Sequence, residues 1–155
     1  MTESDPNLEM PDQASMRAAN VNPETGLATD YLNHFNEYIM LAEMVMDGSM
    51  AVEILTDWQP LDYESHFVQS GFVGVKTVLA AYRALAEAPR MEFERSTNIL
   101  IDLILDHQKT AQGDLACFNH IRENRDHIAT LISTAGPSVD VANDDAQAAI
   151  DALFD

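Results

Sequence analysis

Two stretches of this chain carry imidazoles and carboxylates at spacings that place them on one side of a helix. His120, Glu123 and His127 follow one another at three and four residues, so a helix of 3.6 residues per turn shows them as one stripe. Two imidazoles and a carboxylate displayed in this way are ligands for a divalent transition metal such as zinc, iron or manganese. His34 and Glu37, in NHFNE, repeat the H-x-x-E spacing. If the helices that bear these pairs were neighbours, His34, Glu37, His120 and Glu123 would converge as a four-ligand metal site, with His127 as a further candidate. Two features weigh against it. His120 and His127 lie about 10.5 Å apart along a helix axis, too far for one ion without a bridging geometry. Di-metal bundles also use E-x-x-H with partner glutamates on other helices, the reverse order. The plainer reading is an exposed polar edge in which Arg122 and Arg125 pair with nearby acids. Likewise, His34, near the edge of its helix's apolar stripe, reads as a half-buried histidine with a local hydrogen-bond partner, and His107, on the apolar face with Leu100, Leu103 and Ile104, as a satisfied core or interface histidine.

Other reactive side chains point to less. HFVQSG, from His66 to Gly71, resembles the H-x-x-K-G of helical phosphotransfer domains, and the resemblance implies His66 as a phosphoryl acceptor. It covers six residues, puts neutral Gln69 where the lysine belongs, and places Glu64 where it would repel phosphate. Cys117 falls on the apolar side of its helix, where a thiol is inert. The serines occur at caps and turns, without G-x-S-x-G, and the glycines are isolated, so no phosphate loop forms. Met40, Met44 and Met50 suggest binding instead. On the first long helix Met40 and Met44 lie opposite Phe35 and Ala42, and Met50 follows the turn. An exposed methionine surface beside acids suits an adaptable protein-binding groove; the plainer reading is a helix packed on both sides, its methionines filling core gaps.

The elements that position these residues read as helices, because no strand alternation is sustained and Gly and Pro fall between periodic segments. Residues 1–26 read as a poorly ordered acidic lead, with one weak turn near Gln13 to Ala19. A helix is predicted from about Asp30 to Asp47, capped by Thr29 or Asp30 and stopped at Gly48. Ser49 would cap a short helix to Trp58, closed by Pro60. Asp62 caps YESHFVQS, which Gly71 interrupts before a helix from Phe72 to Ala88; one kinked helix and two helices are both open. Pro89 suits the first turn of the next helix, Arg90 to Gln112. That helix is greasy nearly all round, which places it at the bundle centre or in a dimer. A last long helix runs from Gly113-Asp114 to about Thr134. Residues 137–155 form an acidic tail whose AQAAIDALF segment would dock as a short amphipathic helix through Ile150, Leu153 and Phe154. The expected fold is an all-α bundle of five or six mostly antiparallel helices with short connections, its bundle domain spanning 27–136.

Composition narrows the partners. The chain has 155 residues and a formal charge of −18, enough length for one core without disulfides. From Ala18 to Val75 it has no lysine or arginine. Nucleic acid and anionic membrane are therefore poor partners for that half. Cys117 is the single cysteine, which fits a reducing compartment. The opening MTESDPNLEM has neither a basic region nor an apolar run, and no stretch approaches the roughly 18 apolar residues of a membrane span. A cytoplasmic location is expected, with no cofactor.

GLATDYLNHFNEYIMLAEM and the later HFVQSGF, within Gly26 to Phe72, resemble segments of small uncharacterised proteobacterial proteins. The resemblance implies a soluble bacterial protein and carries no activity or site residue with it. The reading that results is a non-catalytic protein–protein interaction or regulatory module. It would be homodimeric through the Arg90–Gln112 helix or through the methionine-bearing first helix. A metal-binding bundle and a phosphotransfer-like protein are the alternatives.

Overall fold

The computed structural model describes residues 9–110 and 114–134. They form helices α1 (Gln13–Ala18), α2 (Leu32–Met46), α3 (Tyr63–Ser70), α4 (Val75–Arg83), α5 (Glu87–Thr110) and α6 (Leu115–Ser133). A two-stranded antiparallel hairpin, β1 (Val21–Asn22) and β2 (Leu27–Ala28), joins α1 to the rest. Two 3-10 segments, Thr29–Tyr31 and Val52–Asp57, precede and follow α2. The fold is all-α in character, and this hairpin is the only sheet among the described residues. α5 and α6 make the most extensive helix pair, and α2 packs on α6.

The segment expected as a poorly ordered lead belongs to the core from α1 onward. Met16, Ala19 and Val21 are almost completely buried. Asp12 starts α1 by accepting the Ser15 backbone N–H at 2.7 Å. The NPETG turn does more than reverse the chain. Asn22 Nδ2 donates to the carbonyls of Ile132 and Ser133, and Thr25 Oγ1 donates to that of Ile132 at 2.6 Å. Those carbonyls are orphans at the end of α6, so the hairpin caps a helix more than 100 residues away. Local composition holds no sign of this, because the partner groups are backbone atoms of a distant segment.

Several helix ends differ from expectation. Neither Thr29 nor Asp30 caps α2, whose entry is the 3-10 turn without a side-chain cap; Asp30 is drawn to other partners. Ser49 bonds Asp47 instead of capping a second helix, and Val52–Asp57 is 3-10. Gln108 on α5 satisfies that segment by donating to the carbonyls of Leu55 and Trp58. Asp62 does cap α3, accepting the Ser65 N–H at 2.8 Å, and Gly71 ends it at φ +68°. The 61–88 region is thus two helices. Pro89 lies in the first turn of α5, where its missing N–H costs nothing. α5 is not buried all round: Leu100 and Ile104 are inaccessible, while Ile99 is 47% exposed. The proposed tail helix lies outside the described residues.

The core is rich in aromatic rings. Tyr31 meets Phe35, Tyr63 and Phe93 at 5.0–6.1 Å between centroids. Its hydroxyl donates to the Leu61 carbonyl, and the Tyr63 hydroxyl accepts the Ala28 N–H. Burial pushes both phenols up, which keeps them protonated.

Candidate functional site

The groove between α2, α3 and the Asp57–Leu61 loop gathers the most chemistry. Its anchor is His34, which is 6% exposed. The Leu61 backbone N–H donates to its Nε2 at 3.0 Å. Trp58 stacks on the ring at 4.4 Å between centroids and donates its indole N–H to the His34 carbonyl at 2.7 Å. Burial, then the nearby His66, pulls the imidazole down to about 4. The ring is therefore neutral, and because Nε2 accepts, the proton is on Nδ1.

His66 faces it from α3, with ring centroids 5.8 Å apart. Its Nε2 lies 3.1 Å from Asp30 Oδ2, and its side chain is 12% exposed. A carboxylate only accepts, so Nε2 carries a proton and donates to Asp30. The Asp30–His66 pair fixes the orientation of the ring, as second-shell carboxylates do for ligating histidines. Around the rings is a cavity of about 410 Å³ that includes Asn33, Glu37, Gln69 and Ser70. A second hollow of about 260 Å³ shares His34, Glu37, Leu61 and Gln69 and adds Asp57 and Gln59. No lysine or arginine lines either. A hollow of about 640 Å³ between α1 and α4 carries no titratable side chain.

The five metal candidates do not come together. His34 and Glu37 line the groove. His120, Glu123 and His127 are exposed on α6, where His127 looks toward Glu92 of α5 at 3.9 Å. α2 and α6 are neighbours, as the convergence required, but they meet through Asn36 and Arg125. Among the described residues no three His, Cys, Asp or Glu side chains gather within reach of one ion. His34 has moreover spent its lone pair on the Leu61 N–H. His107 is buried against Tyr38, whose hydroxyl meets Nδ1 at 2.7 Å, and burial lowers it too. Cys117 is half-buried, its thiol raised first by burial and then by Asp114.

Met40 and Met50 are 53% and 36% exposed, and Met44 is half-buried. The groove residues that sequence reasoning missed are Asp30 and Trp58. Asp30 is 36 positions from His66, and no spacing rule links residues so far apart.

Comparison with protein-family models, with curated proteins and with solved structures returned no match to this chain. Fold and site define a small all-α protein with a histidine-lined groove and a methionine-bearing outer helix face. No helix among the described residues is long and apolar enough to cross a membrane.

Proposed function

We propose that the chain is a protein–protein interaction module whose outer α2 face receives a basic, amphipathic segment of a partner. One observation carries the reading: exposed methionines lie in a stretch free of lysine and arginine. At helical spacing Met40 and Met44 are flanked by exposed Glu43 on one side and exposed Glu37 on the other. Methionine adapts to varied apolar surfaces, and the acidic rim selects positive partners and speeds their approach. A second copy of this chain fits the face less well, because both copies would bring acids to the contact. The setting we propose is a reducing bacterial cytoplasm, consistent with the lone Cys117.

The test is fluorescence anisotropy with a labelled Leu/Lys peptide of helical periodicity and a scrambled peptide of the same composition. The periodic peptide should bind more tightly. Replacing Met40 and Met50 together by serine should weaken it about tenfold, or about 1.4 kcal/mol, without changing the charge. Equal binding of both peptides would mean attraction by charge alone and would overturn the reading.

A further inference from the structure

We infer that the hollow between α1 and α4 is the docking site of this chain's own C-terminal segment, Asp144 to Phe154, seated as a helix through Ile150, Leu153 and Phe154. The hollow measures about 640 Å³ and is mostly apolar: Ala18 and Ala19 of α1 face Phe72, Val73 and Gly74 at the entry to α4. Val73 is wholly exposed and Phe72 half-buried. A concave apolar surface of this kind, left open to water, marks a contact site.

The place where α6 ends points to the occupant. α6 stops at Ser133, and Asn22 of the hairpin bonds the carbonyls of Ile132 and Ser133. Asn20, on the same strand of chain as Asn22, lines the hollow, so the C-terminal segment departs beside it. Between Thr134 and Asp144 an extended chain spans up to about 33 Å, ample for a following helix to lie along the hollow. Ala146, Ile150, Leu153 and Phe154 fall at helical spacing as one apolar stripe, with Asp144, Asp151 and Asp155 on the other side. Charge favours the hollow over the other open apolar face. Its lining has no titratable side chain, and the exposed bases Arg17 and Lys76 stand on the two helices that flank it. The methionine face of α2 is instead rimmed by Glu37 and Glu43, which repel the aspartates. Covalent attachment favours the chain's own segment over that of a second copy, because it holds the segment at an effective concentration on the order of millimolar.

The experiment is methyl NOE spectroscopy on the full chain, with the Ala, Ile, Leu, Val and Met methyls labelled. Cross-peaks from Ile150 and Leu153 to Ala18 and Val73 are expected. Their absence would overturn the inference, as would cross-peaks to exposed Met40 or Met91 in their place. A mixed sample of differently labelled chains separates the two sources of the segment: cross-peaks only between copies would mean docking in trans and would overturn it too. Val73→Asp, at a wholly exposed position, sets a charge against the aspartates and should abolish the cross-peaks; their survival would contradict the proposed seat. Leu153→Ser should shift the Ala18 and Val73 methyls and leave the buried Ile121 methyl in place, whereas unmoved Ala18 and Val73 methyls would tell against docking. The Met40/Met50 double serine variant should keep every cross-peak, so this site and the partner face stand or fall separately.

Discussion

His34 and His107 are polar rings in an apolar setting, and that position makes stability depend on pH. In the fold both titrate below the ordinary histidine value of 6.5, His34 at about 4, with burial the leading cause. The unfolded chain therefore binds more protons as pH falls below 6.5. Stability is complete above that value and declines as pH falls through it, by up to about 1.4 kcal/mol per pH unit per histidine, until the folded value is reached. Urea unfolding between pH 6.5 and 5, above most carboxylate titration, should show this decline; a flat profile would contradict it. His107→Phe strips the Tyr38 hydroxyl of its hydrogen-bond partner and should cost about 1–3 kcal/mol at neutral pH while making the pH slope shallower. Helical spacing placed His34 at the edge of an apolar stripe and His107 on one, and both are buried. Their partners, Leu61, Trp58 and Tyr38, were not legible, because each is reached across a chain reversal.

At the scale of elements, termini marked by a local cap were the readable ones. Asp62 and Asp114 each accept the N–H three residues on, an interaction contained within four consecutive residues. Asp62→Ala should lower stability by about 1 kcal/mol in urea unfolding. The glycines between α3 and α4 separate two mechanisms. A Cβ at Gly71 meets nothing, so Gly71→Ala pays only for φ +68°, about 1 kcal/mol. A Cβ at Gly74 would lie 2.7 Å from the Ala19 Cβ and 3.1 Å from its Cα. Gly74→Ala must therefore push α1 from α4, at about 1–3 kcal/mol, with faster amide exchange in α1 that Gly71→Ala lacks. Thr29, Asp30 and Ser49 were misread for different reasons: Thr29 and Asp30 lie in a 3-10 turn, with Asp30 held by His66 across the fold, whereas Ser49 bonds the nearby Asp47.

For the whole molecule, a charge of −18 favours solubility and opposes compaction by self-repulsion. Raising salt from 0.01 to 0.15 M shortens the screening length from about 30 to about 8 Å. The thermal midpoint should rise with sodium chloride at fixed pH; a fall would indicate that attractive pairs dominate. The sequence by itself determined the all-α class, the charge and the acidic character of the α2 region, because periodicity and composition are local sums over residues. It also grouped the ligand-type residues on helix faces, whereas the exposure of Met40 and Met50 was decided by packing. Only the tertiary structure decided which faces meet: it paired His34 with His66, sent His120 and His127 to the surface, and drew α1 and the hairpin into the core. The reason is physical. Spacing fixes a side chain's direction around its own helix axis, whereas a site depends on how axes pack, and that follows from interlocking side chains and backbone hydrogen bonds between distant segments.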